Sequence, residues 1–214
     1  MKQAHRKLFL IGACYGLALW HGDSSIAADH HRPGLGVLID NGALVPAFTL
    51  ERAERETANV FRQAGIEITW QECSFAEAEH RDPPGCKLPQ DVPTVIVRIL
   101  PEADVQRWSL PENSLGFSLD TNIYILFPRV QNVAEGQASP VSLVLGHVMA
   151  HEIGHCFLGA GHWPEGLMRA GFRRTDWERA AKGQLLFTQS SAHLLQQRVR
   201  QSKPAQALQE AHRP

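Results

Sequence analysis

The sequence predicts an α+β fold. One domain is expected, with a small twisted mixed sheet packed on an N-terminal helix and a central helix, and further helices at the C-terminal end. Three observations carry this. Thr94–Leu100 reads Thr-Val-Ile-Val-Arg-Ile-Leu, a nearly continuous β-branched run suited to a strand buried on both faces. Residues 66–70 alternate, with Ile66, Ile68 and Trp70 on one side and Glu67 and Thr69 on the other. The apolar run 141–149 reads as a buried helix that continues to about Leu158. The 214 residues suffice for one domain with a sizeable core.

Composition excludes some classes of function. The chain is 43% hydrophobic and 20% charged, as in a soluble globular protein. A formal net charge of −1 offers no basic footprint, so no nucleic-acid partner is expected. No internal repeat and no glycine-rich phosphate loop is visible.

Residues 1–28 have the anatomy of a signal peptide. Lys2, Arg6 and Lys7 make a basic start, residues 8–20 an apolar run, and Ser25-Ile26-Ala27 or Ile26-Ala27-Ala28 a small-residue cleavage site. The run is shorter than the ~20 residues of a membrane-spanning helix. A secreted or periplasmic protein with no stable membrane insertion after cleavage is therefore expected. Lipidation at Cys14, or an uncleaved short anchor, is the alternative. The domain is expected over residues 29–203, with a frayed polar tail over 204–214.

Residues 29–34, including His30 and His31, read as a loose tail. Residues 37–39 suggest a short strand turned by Asn41-Gly42. Pro46 opens a helix with Phe48, Ala53, Val60 and Phe61 facing the core and Glu51, Arg52, Glu54, Arg55 and Glu56 facing water. Ala64-Gly65 ends it. Cys73 and Cys86 flank a turn, Asp82-Pro83-Pro84-Gly85. An exported chain favours a Cys73–Cys86 disulfide, with free thiols or pairing to Cys156 as alternatives. Pro101 stops the 94–100 strand. Residues 110–119 read as extended, 123–127 as a strand and 131–139 as a polar connection. Ser139-Pro140 fits an N-cap and first helical residue. Thr175-Asp176-Trp177-Glu178 suggests a capped helix start, and Thr188 caps a last helix with Leu194, Leu195 and Val199 inward.

The chemistry concentrates in residues 148–162, where His151-Glu152-x-x-His155 is followed by Gly159, Gly161 and His162. Positions i and i+4 share one helix face, so His151 and His155 can aim at one point and hold a single Zn²⁺. Glu152 lies about 100° round the helix, placed for a general base rather than a ligand. Catalytic zinc takes three protein ligands, and the glycines can reverse the chain so that His162 supplies the third. Glu178, on a later helix, is the competing third ligand; Glu165 is a weaker candidate, too close for that arrangement. His147 shares the stripe, but lies about 12 Å along the helix from His155 and reads as structural or as a neighbour of the ligands. Cys156 reads as a small buried apolar residue.

Gly166-Leu167-Met168 follows, with Met168 six residues after His162. With it, the stretch resembles the metzincin zinc endopeptidases, which carry His-Glu-x-x-His-x-x-Gly-x-x-His and then a methionine turn. Here three residues, Cys156, Phe157 and Leu158, separate the second histidine from the glycine, one more than that pattern has. Trp163 after the third histidine marks no named subfamily. The tail of the motif is similar to small secreted bacterial metzincin-like proteins. The resemblance implies one catalytic zinc on His151, His155 and His162, a protein or peptide substrate, and a monomer. Glu152 would act as general base toward zinc-activated water, and Met168 would form an apolar floor beneath the ligands. It also implies that residues 115–119 form an edge strand that holds the substrate backbone. Some metzincins add a tyrosine near the methionine turn. After residue 28 the only tyrosine is Tyr124, so a second stabiliser of the transition state is unassigned. Arg169, Arg173 and Arg174 would steer an acidic substrate or form a solvated surface. The alternative function is a zinc-binding structural or interaction module; an intact Glu152 weighs against it.

Overall fold

The 94–100 run does become the middle strand of the sheet. A computed structural model describes residues 32–73, 86 and 91–202, and from Arg32 onward these belong to one compact unit. The expected signal segment 1–28, His30 and His31, the 82–85 turn and the 204–214 tail lie outside the described residues. The elements are β1 (Gly34–Asp40), α1 (Ala47–Gln63), β2 (Glu67–Glu72), β3 (Thr94–Leu100), α2 (Glu102–Val105), β4 (Gly116–Leu119), β5 (Asn122–Leu126), α3 (Phe127–Gly136), α4 (Val141–Leu158), α5 (Arg174–Ala181) and α6 (Gln189–Gln201). The sheet order is β2-β1-β3-β5-β4. The first four strands are parallel, and β4 runs antiparallel to β5 at the edge.

Period-two alternation divides the sheet's two faces. Leu35, Val37, Ile39, Val95, Val97, Ile99, Ile123 and Ile125 all point into one core with α1 and α4. Leu38 and Ile96 point the other way and pack on Cys73 and Cys86, which are disulfide-bonded as expected. Closing a loop of that length stabilises the fold by about 3 kcal/mol through the unfolded chain's entropy. Reduction should therefore lower the thermal midpoint while leaving far-UV circular dichroism native at 20–25 °C.

The helices α1 and α4 approach closely because Gly146 has no side chain. A Cβ there would lie 2.7 Å from Ala53 O and 2.7 Å from Glu56 Cβ. Thr57 Oγ1 sits 2.9 Å from Ala53 O and 2.8 Å from Gly146 O, bridging the two helices at the same point. Gly146→Val should cost roughly 3 kcal/mol by overpacking, read as a lower urea midpoint at unchanged m-value.

Several expectations are corrected. Gly34, expected in a loose tail, is the first residue of strand β1. Phe48 is 68% exposed, not core. Leu50, Ala53, Thr57, Val60 and Phe61 make the buried stripe at helical spacing, and Phe48 falls off it with the Arg52 guanidinium 5.6 Å above its ring. Residues 131–139 are not a connection; most belong to α3, where Phe127, Val130 and Ala134 supply one narrow buried stripe and Gln131, Asn132 and Glu135 the wet side. Pro140, not Ser139, is the N-cap of α4. Helix α5 begins at Arg174 with Arg173, not Thr175, as its N-cap, and Asp176 accepts the Arg173 backbone N–H at 2.8 Å. Thr188 caps α6 as expected, accepting the Ser191 N–H at 3.2 Å, and Leu195 and Val199 are buried while Leu194 is half-buried.

Candidate metal centre

Helix α4 puts His151 and His155 one turn apart, and Gly159 ends it with φ of +84°. That positive φ costs glycine little and lets the chain turn back toward the helix. The Gly159 carbonyl then accepts from His155 Nδ1 at 2.8 Å. His151 Nδ1 donates likewise to Leu167 O at 2.8 Å. With both Nδ1 atoms acting as donors, both Nε2 atoms carry lone pairs. Those two Nε2 atoms face each other at 3.0 Å.

His162 completes the group. One nitrogen from each of His151, His155 and His162 lies within 4.8 Å of the others. The His162 ring centroid is 5.5 Å from that of His151 and 4.9 Å from that of His155. Two lone pairs turned on each other, with a third imidazole beside them, repel unless a cation lies between. Tetrahedral zinc with nitrogen ligands needs N···N separations of about 3.3 Å, so the donor set fits that ion. His151 is buried, His155 half-buried and His162 exposed, so the group opens toward solvent on the His162 side.

The loop after His162 is tied under the ligands. Trp163 N–H donates to Met168 O at 2.8 Å, and Leu167 N–H to Leu186 O at 2.8 Å. Met168 is buried against the backbone of α4: a Cβ on Gly154 would lie 2.6 Å from its Sδ. The methionine thus fills the place a side chain at Gly154 would take, next to His155. Gly161, expected to share the reversal, is not in the left-handed region; Gly159 makes the turn, and Gly166 takes φ of +75° further on.

Glu152 is 7% exposed, and burial pushes its carboxyl up to about 8. Its stem lies against the edge strand. A Cβ on Gly116 would sit 2.9 Å from Glu152 Cγ and 3.2 Å from Cδ. Burial lowers His151 to about 4 and also lowers His155, keeping both rings neutral and able to ligate.

A cleft of about 420 Å³ runs over these groups, lined among others by Leu115, Gly116, Ser118, Glu152, His162 and Phe172. One wall is β4; the other is the loop around residues 170–172. Phe172 stands edge-on to His151 at 5.4 Å and to Trp177 at 4.9 Å. The Gly116–Glu152 and Phe172–His151 contacts are not visible in the sequence, since they join parts of the chain that no local spacing links.

The remaining candidates fall elsewhere. Glu178 is exposed and pairs with Arg174 at 3.3 Å, and Glu165 is exposed; neither joins the histidines. His147 is buried with Nδ1 2.9 Å from Leu143 O on its own helix. Cys156 keeps its thiol, pushed up to about 12 mainly by burial, and its Sγ lies 3.7 Å from Glu152 O. Arg169 is held by Asp176 at 3.0 Å and is only 18% exposed, so it is no steering charge. Tyr124 stacks on Phe117 at 4.8 Å and tilts to Trp108 at 5.4 Å, on the sheet face opposite Ile123 and Ile125.

No family model matches the chain, and no curated protein matches it. Among solved structures the chain is similar to archaemetzincin from Methanopyrus kandleri. The two are 12% identical, over 82% of this chain and 99% of that one, with a TM-score of 0.46.

Proposed function

We propose that this protein is an exported, metzincin-like zinc endopeptidase acting on protein or peptide substrates as a monomer. The observation that carries the reading is the pair of lone-pair-bearing Nε2 atoms at 3.0 Å, with His162 beside them and a buried carboxylate next along the helix. When bound, zinc supplies a Lewis acid that acidifies water and polarises a carbonyl. His151, His155 and His162 hold it, each of the first two fixed in tautomer by a backbone carbonyl. The Glu152 carboxyl, its ionised form favoured by the charge of nearby bound zinc, would then take a proton from the attacking water and return it to the nitrogen of the leaving amine. A purely structural site would have no use for a base at that position.

The edge strand supplies the means to hold a peptide. Leu126 N–H donates to Leu115 O at 2.9 Å, which makes Leu115 and Leu126 a hydrogen-bonded pair. Antiparallel pairs alternate, so Phe117–Tyr124 is bonded, and Gly116 and Ser118 turn their N–H and C=O groups to the open edge. An extended substrate can pair there, beside Glu152. Gly116→Ala should push the base off its seat and lower kcat about tenfold or more while the protein keeps one zinc, measured by turnover beside metal analysis.

Export rests on the 1–28 segment. Sequencing the N-terminus of the exported protein should give a start near Ala28 or Asp29; a start at Met1 contradicts it. Digestion of casein with and without a chelator, then with zinc restored, tests the activity. Cleavage that a chelator leaves intact contradicts the reading.

A further inference from the structure

Residues 111–114 form a turn that closes on itself, with Ser114 N–H donating to Pro111 O at 3.0 Å. Arg129, in the first turns of α3, locks both ends of it. Its Nη1 donates to Pro111 O at 2.6 Å and to Ser114 O at 3.0 Å. The turn carries Glu112 and Asn113 and then runs directly into Leu115 and the edge strand. Beside the metal cleft lies a second cavity of about 310 Å³, bounded by Leu115, Val133, Phe172 and Trp177. Asn113 lines both cavities, so it stands at the seam between them. It is exposed, and its amide makes no hydrogen bond among the described residues.

We propose that Asn113 binds the backbone of the substrate peptide where it leaves the metal cleft, and that Arg129 is the positioning residue that holds Asn113 there. This inference rests on the proteolytic reading. Asn113 and Gly116 line the same cleft, so a peptide paired to Gly116 and continuing along that rim meets Asn113. A side-chain amide offers two donors and an acceptor, the complement of a peptide group. Unclamped, a four-residue turn would have to be ordered at each binding event. The Arg129 clamp removes that cost beforehand. Arg129 itself is engaged by two carbonyls of the chain, so its effect passes through the turn.

The test uses the full chain loaded with zinc and the casein-derived peptide that wild type cleaves fastest. Asn113→Ala should raise KM roughly five- to tenfold, the worth of one hydrogen bond, with kcat within about twofold and zinc content unchanged. Arg129→Met should reproduce that rise in KM, and Arg129→Lys, which keeps donors at the end of the side chain, should recover part of it. The double variant Asn113→Ala/Arg129→Met should be no worse than the worse single variant. An unchanged KM in Asn113→Ala overturns the proposal, as does a double variant whose effects simply multiply. If Arg129→Met does not fold, Asn113→Ala and Arg129→Lys decide alone. If wild type cleaves no casein peptide, the proteolytic reading and this inference fall together. Cleavage by wild type with KM unmoved in Asn113→Ala sinks the inference alone.

Discussion

Glu152→Ala should abolish peptide hydrolysis, by about 10²- to 10⁴-fold, while the protein still binds one zinc. The residue contributes no ligand atom to the histidine group, and its stem packs on Gly116 rather than between the imidazoles. Removing it takes away the proton acceptor and leaves the donor set intact. Turnover beside metal analysis checks this, and undiminished hydrolysis would dismiss Glu152 as the base. The same carboxyl shapes the metal-free protein's stability. Its folded value of about 8 lies above the ordinary 4.5, so the folded state holds the proton longer and stability falls as pH rises through that interval. His151 acts in the opposite sense. Its folded value of about 4 lies below 6.5, so stability is lost as pH falls from 6.5 toward 4. Glu54, raised to about 7 by burial and then by Glu72 and Glu51, acts in the same sense as Glu152, and His147 and His155, lowered by burial, act with His151. The chelated protein should therefore be most stable at mildly acidic pH and lose stability toward pH 8 and toward pH 4, read by urea unfolding across pH. Glu152→Gln should flatten the fall on the alkaline side.

His162→Ala should lose zinc and hydrolysis together. It removes one of three ligands, so the loss of affinity should exceed the roughly 100-fold upper range seen for residues that only orient ligands. Glu178→Ala should change neither property, since Glu178 is exposed and pairs with Arg174. Zinc at about a thousandfold above its Kd stabilises a folded protein by about 4 kcal/mol, which for a domain of this size is a rise in thermal midpoint of roughly 10 °C. That rise should be seen in wild type and be absent in His162→Ala, by calorimetry with zinc and with chelator. A full zinc-dependent rise in His162→Ala would mean that another residue completes the site.

The central parts of this architecture were legible because their causes are local. Histidines four apart share a helix face whatever surrounds them, and a β-branched run such as Thr94–Leu100 suits a doubly covered strand. Helix α3 was missed because only Phe127, Val130 and Ala134 mark it, and Phe127 also continues the apolar pattern of β5. The Arg169 charge was visible, but its neutralisation depends on a fold that brings Asp176 back to it. Gly116 shows the same limit: nothing in Leu-Gly-Phe-Ser says that a glutamate from a distant helix will occupy the missing side chain's place. Gly161 errs the other way, since a glycine permits a left-handed turn without requiring one.

A crystal structure of the zinc-loaded protein, with anomalous scattering measured at the zinc edge, tests the metal centre most directly. The geometry predicts one zinc about 2.1 Å from a nitrogen of each of His151, His155 and His162. A zinc peak away from these rings, or a His162 ring turned off the ion with another side chain in its place, would contradict it.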